Sequence, residues 1–259
     1  AEAILTPFRK QPFMLSFKSG PENEAMSLVM YERIGSDGRR PSPFSWRIRY
    51  ALAHKDIPVE FRTVRFADVE TIRELSGQEK VPVITDSEKV VYDSWNIAVH
   101  LEEAFPNQPS LFGGVAGRAH ARLVNHWSDT TLGPAIRRLI SSAFILCLAP
   151  EDRDYFRRSR EAAFGCTLEE YCAERPRWLA QLLAVIAPLE ITLREQPYIG
   201  GMSATYADYI VFSALQYARL GCPEDFIEQG TAVRGWRDRL TDAFNGLGNL
   251  YPLHPQAAA

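Results

Sequence analysis

The 259-residue sequence predicts an α/β unit followed by an all-helical unit. Three observations carry this expectation. Short apolar or alternating runs of strand length occur only before residue 106. A stretch at 106–117 containing Pro106, Pro109, Gly113, Gly114 and Gly117 has the composition of a linker. Beyond it the apolar spacing is helical as far as residue 244.

Taken in order, residues 28–31 read as a first strand, and Gly35-Ser36-Asp37-Gly38 opens a loop that closes at Pro41-Ser42-Pro43. A helix starts there. The Ser42 side chain suits the N-cap, Pro43 suits the first helical position, and Phe44, Ile48 and Leu52 recur at helical spacing. Residues 59–64 alternate apolar and polar side chains and complete a β-α-β unit. Residues 81–84 and 89–92 form a hairpin across Asp86-Ser87-Glu88, and another helix opens at Ser94 with Ile97, Ala98, Leu101 and Phe105 on one face. After the linker, helical stretches are expected near 118–148, 151–164, 176–194, 206–220 and 233–244, with Thr205 to Asp208 read as a capping box. The resulting division is an N-terminal extension at 1–25, an α/β domain at 26–105, the linker at 106–117 and a helical domain at 118–252.

Composition narrows the function. A formal charge of -3 gives no concentrated basic surface for displacing phosphate counterions, so a nucleic-acid partner is not expected. Four cysteines, all in the second half, show neither CxxC spacing nor a disulfide framework, and the five histidines lack paired-ligand spacing, so no metal is expected. No apolar run is long enough to span a bilayer, and residues 1–25 lack the apolar core of a signal peptide. The expected setting is the cytoplasm and the expected partner a small molecule.

The order β-α-β then β-β-α, with a proline opening the third strand, is the thioredoxin arrangement, and it singles out Val81-Pro82. A cis bond there would present the backbone of Val81 to an extended peptide lying alongside like an added strand. Asp93-Ser94 precedes a helix whose free N–H groups and positive dipole end favour a carboxylate, so an amino-acid head group fits: Ser94 for its carboxylate, Asp93 for its ammonium. Ser42, at the start of the first helix, would favour thiolate over thiol in a bound ligand, with Ser45 as the alternative. Lys80 could meet a distant carboxylate as a point charge. Phe44 and Trp127 are candidates for an apolar second-substrate pocket.

The sequence resembles the glutathione transferase superfamily from Ser27 to Pro252. The resemblance rests on residues 42–52 (SPFSWRIRYAL), 81–84 (VPVI) and 93–98 (DSWNIA), and in the second half on 156–161 (FRRSRE), Phe164-Gly165 and 167–170 (TLEE), which look like the β-aryl etherase branch. It implies a thioredoxin-like domain joined to a helical domain, a homodimer, and glutathione as co-substrate. Ser42 would then stabilise the glutathione thiolate, Val81 pair with the cysteinyl backbone, and Asp93 with Ser94 hold the γ-glutamyl group. The reaction implied is attack by that thiolate on a hydrophobic, aromatic electrophile, with cleavage of a β-aryl ether as the etherase-like case. Ser-x-x-Ser-Trp-Arg is also similar to the zeta class, which isomerises maleylacetoacetate, and a non-catalytic ligand-binding role for the fold is the remaining alternative.

Overall fold

The computed structural model describes residues 28–222 and 224–252; the extension at 1–25 lies outside them. The first unit runs β1 (Val29–Arg33), α1 (Pro43–His54), β2 (Glu60–Val64), α2 (Val69–Ser76), β3 (Val83–Asp86), β4 (Lys89–Tyr92) and α3 (Ser94–Ala104). Its sheet has the order β2-β1-β3-β4, with β1 and β2 parallel and the other pairs antiparallel. This is the thioredoxin-like α/β layer expected from the sequence.

Helix α2 was not legible in the sequence. Ile72 is its one buried side chain, so the strip facing the sheet is too narrow to give an apolar period. It stops at Gly77, whose φ of 73° places the C-terminal residue in the left-handed region that glycine adopts freely.

The second unit contains α4 (Val115–Trp127), α5 (Gly133–Phe144), α6 (Pro150–Phe164), α7 (Leu168–Cys172), α8 (Arg175–Glu195), α9 (Tyr206–Gly221) and α10 (Ala232–Gly246). The helix expected at 118–148 is divided. A π-helical turn at Ser128–Leu132 separates α4 from α5, where Pro134 lacks the N–H that would continue the ladder. A short 3-10 turn, Ile145–Cys147, ends the run. Helix α7, which apolar spacing did not reveal, is set by a capping box between Thr167 and Glu170.

One apolar core passes through both units, from Met30, Ile48 and Ile97 to Ile136, Tyr209 and Trp236. Helix α1 lies at its centre. Tyr50 on α1 is fully buried, packs 4.7 Å from the Phe212 ring and donates its hydroxyl to the carbonyl of Leu240 at 2.8 Å. The buried Arg47 donates across the same boundary to Asn125 Oδ1 at 3.0 Å, Ser128 Oγ at 3.3 Å and Asp129 Oδ1 at 2.7 Å. Removing a guanidinium from water is costly unless its donors are paired, so these bonds hold α1 against α4 and the π turn in one geometry.

Asp208 makes the densest polar node. Fully buried at the start of α9, it accepts from the backbone N–H groups of Ile199 (2.7 Å), Gly200 (3.0 Å) and Thr205 (2.9 Å) and from Trp236 Nε1 (2.9 Å). Asp208→Ala strands these donors and should cost about 4 kcal/mol in urea denaturation, with Asp208→Asn milder; a loss below about 1 kcal/mol would refute the assignment.

All four cysteines are free thiols. Cys147 is buried, donates to the Leu220 carbonyl at 2.6 Å, and has its pKa pushed up to about 11 by burial. The reactive thiolate is therefore absent near neutral pH. Iodoacetamide should label Cys166 and Cys172 in the native protein, and Cys147 and Cys222 only after unfolding; mass spectrometry of the labelled peptides checks this.

Candidate functional site

The sheet register gathers the candidate residues. Tyr31 pairs with Val83 and Val83 with Tyr92, so the C-terminal end of β1, the N-terminal end of β3 and the C-terminal end of β4 share one edge. From β1 the chain runs to Ser42 and α1; Val81-Pro82 immediately precedes β3; Asp93-Ser94 immediately follows β4. Helices α1 and α3 both begin at this edge, which directs two positive dipole ends towards it.

Ser42 is the N-cap of α1, and its Oγ accepts the Ser45 N–H at 3.2 Å. That bond leaves the Ser42 hydroxyl proton available to another acceptor. Ser45, a turn further in, is 1% exposed and its Oγ is buried without a hydrogen-bond partner. Ser42 thus stands at the mouth of the helix and Ser45 behind it.

The loop before Ser42 is tightly held. Glu32, fully buried on β1, accepts from Arg40 Nε and Arg49 Nε, each at 2.7 Å. The carbonyl of Arg40 accepts Trp46 Nε1–H at 2.8 Å. Gly35 approaches the turn after α5 so closely that a Cβ on it would stand 2.3 Å from the Cys147 carbonyl oxygen. No larger residue fits there without moving one chain.

The Val81–Pro82 peptide bond is cis. Paired ladder residues of β3 begin at Val83, beyond this dipeptide. Lys80 is exposed, and the Gln78 side chain braces its backbone, accepting the Lys80 N–H at 2.6 Å and donating to its carbonyl at 2.9 Å. Asp93 rather than Ser94 is the N-cap of α3, with Oδ1 accepting from Trp95 N at 3.0 Å and Asn96 N at 3.2 Å. Its φ of 68° is unfavourable for a residue with a Cβ, a strain that concentrates at functional positions. Ser94 is buried beside it, and its carbonyl accepts the Tyr206 hydroxyl at 2.8 Å, so α9 supports the start of α3.

The two pocket candidates lie on different helices, α1 and α4. Phe44, 39% exposed, lies at the start of α1 with the Arg47 guanidinium 4.7 Å from its ring centre. Trp127 lines a cavity of about 220 Å³ with His120, Val124, Pro188, Leu189, Thr192 and Ile199, all from α4, α8 or the turn after α8. Phe44 is not among the residues lining it.

The stretch 156–170 builds a helical hairpin. Arg157 bonds Glu161 at 3.0 Å and both carboxylate oxygens of Glu169 at 2.9 and 3.0 Å. Gly165, at φ 72°, turns the chain between α6 and α7. These side chains close the hairpin on itself.

Sequence reasoning missed Arg33, Arg65 and Asp152. Arg33, 7% exposed, donates from its two terminal nitrogens to the carbonyls of Arg65 and Glu79, the latter at 2.9 Å. Burial lowers its pKa, against the opposing pull of Tyr155, Asp152, Asp68 and Glu79. The one local signal for Asp152 was its place in the first turn after Pro150, where a carboxylate favours a helix N-terminus.

Residues 38–109 match the family model described as glutathione S-transferase, N-terminal domain, and residues 119–245 the model described as glutathione S-transferase, C-terminal domain. A probable maleylacetoacetate isomerase of Caenorhabditis elegans is 36% identical over 87 residues, which is 32% of this chain and 41% of that protein, so the chain spans less than half of that relative. The crystal structure of glutathione transferase GSTFuA2 from Phanerochaete chrysosporium has a TM-score of 0.67 at 28% identity, covering 86% of this chain and 93% of that one. That of CsGST83044 from Ceriporiopsis subvermispora, in complex with glutathione, has a TM-score of 0.68 at 20% identity, covering 84% and 98%, a likeness of fold. With both halves matched in order, on a thioredoxin-like layer followed by helices, the chain belongs to the glutathione S-transferase superfamily.

Proposed function

We propose that this protein uses the glutathione thiolate as a nucleophile on a hydrophobic, aromatic electrophile, with Ser42 as the thiolate-stabilising hydroxyl. The observation that supports this most is the meeting of α1, Val81-Pro82 and Asp93-Ser94 at one sheet edge. In this reading the cysteinyl backbone of glutathione lies against Val81. Its γ-glutamyl carboxylate takes the N-terminus of α3 at Ser94, and its ammonium meets Asp93, whose Oδ1 alone is engaged in capping. Lys80 meets the glycyl carboxylate. The sulfur then lies at the first turn of α1, where the helix dipole and the Ser42 O–H favour its ionised form.

The electrophile enters beside the exposed ring of Phe44; Trp127 belongs to the same reading as a more distant apolar contact. For a β-aryl ether, the thiolate would form a C–S bond to the carbon bearing the aryloxy group, the C–O bond would break, and the departing phenolate would take up a proton. The resemblance of residues 156–170 to the etherase branch motivates that substrate. Glutathione binding is assigned to residues 26–105 and the electrophile's selection to 118–252. A homodimer in the cytoplasm completes the proposal; Val115, Leu123 and Ile191, exposed on α4 and α8, offer apolar surface for a second copy.

A second reading, glutathione-dependent isomerisation, is favoured by the relative named a probable maleylacetoacetate isomerase. There glutathione adds and is released unchanged. Mass spectrometry after incubation with a model β-aryl ether and with a maleyl ketone separates the two, since ether cleavage leaves a sulfur adduct and a free phenol while isomerisation leaves neither. Neither product across both substrates would favour a binding role alone.

Glutathione should bind measurably in isothermal titration, and no heat at millimolar ligand would overturn the reading. Ser42→Ala should lower kcat/KM by about 10- to 100-fold, the worth of one hydrogen bond to a charged group, and raise the pKa of bound thiol in ultraviolet titration. The lost N-cap should cost about 1 kcal/mol of stability. If Ser45→Ala gives the larger loss, the deeper hydroxyl has the role assigned to Ser42.

A further inference from the structure

Helix α6 belongs to the helical unit, yet its first turn is fastened to the α/β layer. Asp152 is wholly buried, and its Oδ1 accepts the backbone N–H of Ala67, in the turn between β2 and α2, at 3.1 Å. Its Oδ2 lies 3.6 Å from Arg65 Nε, and both atoms are buried without a hydrogen-bond partner, so an ion pair alone answers them. Phe156, one helical turn further along, packs edge-on against Phe66 of the same turn at 5.9 Å.

From that turn the contact continues towards the site edge. Arg33 donates to the carbonyl of Arg65 with one terminal nitrogen and to that of Glu79 with the other, so the two backbones are held within the span of one guanidinium. The residues after Glu79 are Lys80, Val81 and Pro82. Asp152, the β2–α2 turn, Arg33 and Glu79 thus form a continuous series of polar contacts, anchored by the buried Asp152 and Arg33, ending on the segment that carries Lys80 and Val81. A guanidinium this buried keeps one orientation only while its acceptors keep theirs.

We propose that Asp152 is a positioning residue for glutathione: from the helical unit it sets the β2–α2 turn, and through Arg33 the Glu79–Val81 backbone against which the tripeptide lies. The inference rests on the glutathione reading above and adds that the helical unit tunes the affinity of a site made from the other unit's residues. Asp152 touches no substrate atom, so its loss acts on binding geometry and leaves the thiolate at α1 unchanged.

The test compares Asp152→Ala, Asp152→Asn, Asp152→Glu and Phe164→Leu with the unaltered protein, reading glutathione Kd by isothermal titration, the KM for glutathione against kcat with 1-chloro-2,4-dinitrobenzene, bound-thiol pKa and Tm. Asp152→Ala should raise Kd and KM about tenfold, with kcat at saturating glutathione within about twofold and thiol pKa unchanged. Asp152→Asn, which keeps the acceptor for Ala67 but not the charge for Arg65, should raise Kd about threefold. Asp152→Glu should recover part of the lost affinity. Phe164→Leu trims packing at the far end of the same helix, against Tyr171, and should lower Tm while leaving Kd unchanged.

Should Asp152→Ala fail to fold, the isosteric Asp152→Asn decides the matter. Folded Asp152 variants that bind glutathione as tightly as the unaltered protein overturn the inference, as does an equal weakening in Phe164→Leu, which would make the effect general loosening. An unaltered protein that binds no glutathione removes the underlying reading, and this inference with it.

Discussion

The antiparallel pairing of β3 with β1 is the constraint on which the site depends. Because Tyr31 faces Val83 and Val83 faces Tyr92, the exit of β1, the entrance of β3 and the exit of β4 meet at one edge. Had β3 run parallel to β1, Val81-Pro82 would stand at the opposite end of the sheet from Ser42. Two helices begin where the strands meet, so two positive dipole ends face the edge. Such an edge suits an anionic, zwitterionic ligand in a protein of slightly negative net charge.

Much of the precision of that edge comes from buried charges that must be paired. Glu32 draws Arg40 and Arg49 onto β1, which positions the loop leading to Ser42. Arg47 joins α1 to the end of α4 and the π turn, and Tyr206 supports Ser94 from α9. A lone buried guanidinium or carboxylate would cost several kcal/mol, so each of these groups tolerates few arrangements of its surroundings. The helical unit is therefore part of the scaffold of the α/β layer.

The stretch at 156–170 is held by more exposed pairs. Arg157 binds Glu161 and Glu169, Gly165 supplies a left-handed turn, and Thr167 with Glu170 caps α7. These residue types build a compact hairpin whatever electrophile the enzyme accepts. Its reach towards the α/β layer comes from other side chains, Asp152 and Phe156, which contact the β2–α2 turn.

Read alone, the amino-acid sequence determined the order of strands and major helices, the N-cap at Ser42, the proline ahead of β3 and the capping box at Asp208, because each is a local pattern of spacing, backbone restriction or hydrogen bonding. It did not disclose α2, which buries one apolar residue, nor the π turn, where helical spacing continues on either side. The tertiary structure alone decided that Arg47 binds the end of α4, that Tyr206 on α9 holds the start of α3, and that Asp152 reaches the β2–α2 turn. Those outcomes depend on contacts between residues up to 112 positions apart along the chain, and polar groups so distant leave no local pattern until packing has excluded water from between them.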